Sequence, residues 1–117
     1  MACTVLIVDD NASFRTGARR LLEAEGYDVV GEAADGATGL LAARELEPEV
    51  VLLDVNLPDV DGFRVSARLT RDPAGPVVVL TSSRDGAEFG ELVSRAGARG
   101  FVSKFDLCGP ALSTLLG

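Results

Sequence analysis

Four apolar runs in the chain each stop on a reactive polar residue: VLIV on Asp9-Asp10, VVLL on Asp54, VVVL on Thr81-Ser82 and GFVS on Lys104. The runs Thr4 to Val8, Val50 to Leu53 and Val77 to Leu80 are rich in β-branched residues and do not alternate with polar ones. Strands covered on both faces read this way, so these are expected to be central parallel strands. Parallel neighbours end at one edge. That edge would then gather three carboxylates, one or two hydroxyls and one ammonium, which is chemistry rather than packing.

Between the runs lie helical patterns. Phe14, Ala18, Leu21 and Leu22 recur at i, i+4, i+7 and i+8, with Asn11 or Ser13 ahead as a cap and Gly26 behind, which predicts a first helix over about residues 12–25. Residues 28–34 read as a weaker second strand, followed by a helix over about 37–46 that Pro48 closes off. A third helix is expected from near Gly62 to before Asp72-Pro73, and a fourth over about 86–96 with Phe89, Leu92, Val93 and Ala96 on one face and Gly90 inside. Residues 99–103 form the fifth strand; a short last helix has Pro110 in its first turn and Leu112, Leu115 and Leu116 facing inward. Five βα units predict a doubly wound five-stranded parallel sheet of order 2-1-3-4-5 with five helices, a flavodoxin-like α/β fold. Its binding crevice lies where strand order reverses, between strands one and three, where Asp9, Asp10 and Asp54 fall.

Length and composition narrow the chemistry. A chain of 117 residues reads as one domain, and no apolar run approaches the ~20 residues that cross a bilayer. Met1 leads almost directly into the first strand without a basic leader, so a cytoplasmic location is expected. A net charge of −7 without a basic stripe argues against direct nucleic-acid binding. Cys3 and Cys108 are too few for a disulfide framework or a zinc site, and the absence of histidine removes Ser-His and Cys-His nucleophile pairs. Against ten arginines there is a single lysine, Lys104, a compact point charge where Arg is a planar fork.

Three converging carboxylates repel; at an effective dielectric near 20, a pair about 4 Å apart costs about 4 kcal/mol. Such a cluster calls for a hard divalent cation or raised pKa values, and Mg2+ fits, with Asp10, Asp54 and the backbone carbonyl of Asn56 as inner ligands. Helix capping is the plainer role for Asp9-Asp10, and a local backbone bond the plainer role for Thr81. An Asp nucleophile, a divalent cation, a hydroxyl donor and an ammonium are together the parts that receive a phosphoryl group, with Asp54 as its acceptor.

Asp9-Asp10 after strand one, Asp54 in LLDVNLPDVDG, Thr81 in VVVLTSS and Lys104 in GARGFVSK resemble the receiver domain of bacterial two-component response regulators over the whole chain, residues 1–117, with no output domain present. The resemblance implies that Asp54 takes phosphate from a sensor histidine kinase or phosphotransfer protein, with Asp9 and Asp10 serving the magnesium site. It further implies that Thr81 and Phe101 form a switch pair, that Asn56 and Ser83 tune the lifetime of the phosphoryl group, and that the fourth helix, fifth strand and fifth helix respond. The downstream partner would be a protein target or output domain, and phosphorylation could drive dimerisation. Such a protein is no turnover enzyme, catalysing at most its own phosphorylation and slow self-dephosphorylation. Two departures stand out. Phe105 follows Lys104 where many receivers have Pro, which argues against the cis peptide often found there. The chain also ends where most members continue, as expected of a stand-alone or an excised receiver. Competing readings are a degenerate receiver or flavodoxin-like binding module that acts without phosphorylation, and an Asp-nucleophile phosphatase of the haloacid-dehalogenase type.

Overall fold

The apolar runs form the strands they predict, for the reason their patterning suggests. The computed structural model describes residues 2–83 and 89–116. In chain order these form β1 (Thr4–Val8), α1 (Ala12–Ala24), β2 (Asp28–Ala33), α2 (Gly36–Leu46), β3 (Val50–Asp54), α3 (Gly62–Thr70), β4 (Val77–Ser82), α4 (Gly90–Arg95), β5 (Gly100–Ser103) and α5 (Gly109–Leu116). The five strands pair in parallel in the order β2-β1-β3-β4-β5.

Successive side chains of the central strands alternate between two cores. Val5, Ile7, Leu52, Val79 and Val102 pack with Ala18 and Leu22 of α1 and Leu112 of α5. Leu6, Val8, Val51, Leu53, Val78 and Leu80 pack on the opposite face with Ala43 of α2 and Val65 of α3. Because each face meets helices, neither set of alternate positions is free to be polar. Leu115 and Leu116 are partly buried against the first core, as the α5 pattern predicts.

The helix ends follow local chemistry. Asn11 caps α1 by accepting the Phe14 amide, and Gly26, at φ +92°, turns the chain out of that helix in a conformation few other residues adopt. At the end of α2 the same left-handed region is occupied by Glu47, at φ 46°. A non-glycine residue there carries a steric cost, so Glu47→Gly is expected to raise unfolding stability by about 1 kcal/mol in a urea titration. A loss of stability would show that Glu47 makes a compensating contact.

The fourth helix departs from expectation. It is described from Gly90 to Arg95, and residues 86–88 of the expected 86–96 span lie outside the described residues. Val93 and Phe89 pack on the second core and Ala96 is buried, but Leu92, expected on the same face, is 45% exposed. Val93 and Phe89 face the sheet, and Leu92 falls at the margin of the stripe they form.

Candidate functional site

The parallel register delivers the strand-end residues to one place. Asp54 and Thr81 are direct partners across β3 and β4, and Ser82 pairs with Ser103, after which the chain reaches Lys104. The amide of Lys104 donates to the Ser82 carbonyl at 2.9 Å, and that of Asp9 to the Ala33 carbonyl at 2.9 Å. Asp9, Asp54, Thr81 and Ser82 are buried, while Asp10 is exposed at the rim.

Each buried carboxylate is held by the backbone amide two residues further on: Asp9 Oδ1 accepts from Asn11 N at 2.9 Å, and Asp54 Oδ1 from Asn56 N at 3.1 Å. These turns leave both Oδ2 atoms directed at the same ammonium. Lys104 Nζ lies 2.7 Å from Asp9 Oδ2 and 3.3 Å from Asp54 Oδ2. The Asp9 contact is a charge pair without hydrogen-bond geometry. All peptide bonds among the described residues are trans, the one between Lys104 and Phe105 included, and Lys104 reaches the carboxylates without a cis turn.

Carboxylate oxygens of Asp9, Asp10 and Asp54 all lie within 4.8 Å of one another. Lys104 offsets one of their three charges and leaves an excess that a divalent cation would balance. The donor set is hard oxygen throughout, which suits Mg2+. A further sign of an absent polar partner is Thr81 Oγ1, buried and without a hydrogen bond among the described residues. A buried orphan hydroxyl is costly unless something fills the gap.

The electrostatics match this geometry. Burial raises the Asp54 pKa above its ordinary value; the Asn56 amide opposes the shift, the Asp9 charge adds to it and Lys104 opposes it. Burial alone would depress Lys104, but the adjacent Asp9 and Asp54 carboxylates outweigh it and raise its pKa.

The remaining expected residues sit around this centre. Asn56 is exposed in the β3–α3 loop, where it pairs with Asp61 in an isolated bridge and its side-chain amide donates to Ser82 Oγ at 3.4 Å. Ser83 is exposed just past β4. Phe101 is half-buried on β5 and meets Phe89 at 5.6 Å between ring centroids, while Phe89 meets Phe63 at 5.4 Å. Beside Asp10 a cleft of about 490 Å³ opens, walled by Asn56, Pro58, Phe63 and Phe89.

Several supporting residues escaped the sequence reading. Asp59 accepts from the amides of Gly36 at 2.8 Å and Ala37 at 3.0 Å, tying the loop after Asp54 to the start of α2; these bonds lower its pKa. Arg15 donates to the Asp9 carbonyl at 2.6 Å and pairs with Glu32, so α1 and β2 together brace the turn that carries the first two carboxylates. The Asp59 and Glu32 partners are distant in sequence, and local pattern carries no signal of them.

An acidic crevice at the carboxyl ends of β1 and β3, the point where strand order reverses, defines a doubly wound, flavodoxin-like α/β domain. Residues 5–106 match the family model described as the response regulator receiver domain. The chain is 40% identical over 101 residues to the response regulator GacA of Pseudomonas protegens, an alignment covering 86% of this chain and 47% of GacA. The receiver domain of NarL from Mycobacterium tuberculosis superposes with a TM-score of 0.85 at 31% identity, over 99% of this chain and 98% of that one. A LuxR-family two-component response regulator from Aurantimonas superposes with a TM-score of 0.86 at 31% identity, over 97% and 81% respectively. The chain belongs to the receiver domain family of bacterial two-component response regulators. It spans about half the length of the curated relatives it matches.

Proposed function

We propose that the domain accepts a phosphoryl group on Asp54 from a phosphohistidine donor, a sensor histidine kinase or a phosphotransfer protein. The observation that carries this reading is the Lys104 ammonium lying against both Asp9 and Asp54, with the Thr81 hydroxyl, unpartnered among the described residues, one strand away in register. The Asp54 carboxylate attacks phosphorus in line; the new P–O bond forms as the P–N bond to imidazole breaks, and the imidazole leaves with its proton. Burial makes Asp54 more basic and so a better nucleophile. Lys104 follows the developing charge from the carboxylate to the phosphoryl oxygens, and Thr81 donates its hydroxyl to one of them. Asp9, Asp10 and Asp54 with the Asn56 carbonyl would hold Mg2+, which when bound would supply further positive charge at the phosphoryl oxygens.

Movement of Thr81 toward the phosphoryl group would vacate space behind it that the Phe101 ring takes up, carrying the change to the surface of α4, β5 and α5. A downstream protein or output domain reads that surface, or a second receiver copy does so in a phosphorylation-dependent dimer. Asn56, which lines the cleft beside Asp10, and Ser83, exposed just past β4, set how readily water reaches the acyl phosphate.

The test is incubation with acetyl phosphate and Mg2+, followed by intact-mass and peptide mass spectrometry. One acid-labile phosphoryl group per chain is expected, on the peptide holding Asp54, and chelation of the metal with EDTA should suppress it by more than tenfold. Labelling that is absent, indifferent to EDTA or on another residue would overturn the proposal, and absent labelling would favour a receiver that signals without phosphate.

A further inference from the structure

We propose that Phe14 is a positioning residue for Lys104, its ring face serving as the platform on which the ammonium rests; this deepens the phosphoacceptor reading and rests on it for its functional consequence. Lys104 Nζ lies 4.6 Å from the Phe14 ring centroid, within the range of a cation–π contact. In the sequence Phe14 is simply the first apolar residue of the α1 stripe, and it does pack against the core beneath β1. Its outer face has this second neighbour.

The reason Lys104 needs such a platform lies in its other contacts. Its backbone is tied to β4 through the Ser82 carbonyl, but the four-carbon stem is flexible and its head touches two carboxylates. In the proposed reaction those carboxylates are the groups whose charge is altered, by metal at Asp9 and Asp54 and by phosphoryl transfer at Asp54. The Phe14 ring keeps the same attraction in every one of these states. The residue after Lys104 gives no such support, since Phe105 is 83% exposed.

Placement of the ring is itself coupled to the site. Asn11 accepts the Phe14 amide through its side chain at 3.1 Å and donates its own amide to Asp9 Oδ1 at 2.9 Å. One capping residue therefore sets both the carboxylate and the aromatic face between which the ammonium sits. The contact differs from packing in requiring a π face rather than volume alone.

Because Lys104 is the single lysine, labelling the protein with 13C,15N-lysine yields one side-chain Cε–Hε resonance. In the wild type this resonance is expected upfield of free lysine through the ring current of Phe14, to stay there in Phe14→Tyr, and to return to the free value in Phe14→Leu, which keeps most of the apolar volume. The rate of labelling by acetyl phosphate should fall about 2- to 10-fold in Phe14→Leu and recover most of that loss in Phe14→Tyr. An unshifted wild-type resonance, or a leucine variant labelled at the wild-type rate, overturns the inference. If the wild type takes no label at all, the phosphoacceptor reading fails, while the resonance still decides whether the ring holds the ammonium; the wild-type and tyrosine spectra decide it even if the leucine variant does not fold.

Discussion

Asp54→Asn should abolish acid-labile labelling by acetyl phosphate and at the same time make the metal-free domain more stable at neutral pH. The first result follows from losing the nucleophile, since an amide oxygen carries no charge to attack phosphorus. The second follows from burial. Asp54 has its folded pKa raised above the ordinary 3.8, so folding favours its protonated form. Above the folded pKa the ionised carboxylate penalises the native state. Wild-type stability should therefore fall as pH rises from the unfolded value through the folded one, and the asparagine variant should lack this component. Lys104 does not confuse the acid window, because its folded pKa is raised above the ordinary 10.5; its stabilising contribution is fully present below that value and is lost only at higher pH. In the variant Lys104 retains Asp9 as a partner. Mass spectrometry and urea titrations across the acid range check both parts, and persistent labelling of the variant would remove Asp54 from its assigned role.

Gly62→Ala, at the first residue of α3, should be strongly destabilising for so conservative a change. A Cβ at residue 62 would collide with the Asp54 carbonyl oxygen and lie 2.6 Å from the Val55 Cα. These are backbone atoms of the strand end itself, so no side chain can rotate away. The Gly62 amide also donates to the Val55 carbonyl at 2.9 Å, which holds the two segments together. Relief requires moving either α3 or the end of β3, and overpacking of this kind costs about 3 kcal/mol. A displaced β3 end would also shift Asp54 relative to Lys104, so labelling should slow beyond what the stability loss explains. A loss below about 0.5 kcal/mol, with labelling at the wild-type rate, would show that the loop yields freely.

Much of this architecture is legible before any coordinates. The unalternated runs of β1, β3 and β4 report burial on both faces, because no position along them is free to be polar. The expected and observed element bounds differ by a residue or so along most of the chain, and α1 has its Asn11 cap and Gly26 stop where side-chain chemistry puts them. The fourth helix is less legible. Leu92 has the right spacing to be packed, but spacing states only which residues share a face and not which of them the sheet covers.

What the sequence by itself determined was the strands and the polar residue at each strand end, because the partition of apolar side chains from water acts on short stretches of chain, with strand order following from the topology rules for successive βα units. What only the tertiary structure decided was how those ends meet. Lys104 reaches Asp54 across 50 residues of chain, Asp59 holds the start of α2 from 22 to 23 residues away, and the partly buried Phe14 packs against the core while its ring lies under the ammonium. Periodicity records whether a position is buried and is silent about its partner. Those partners are set when α1, β1, β3 and β5 are brought together, and the charge balance of the crevice exists only then.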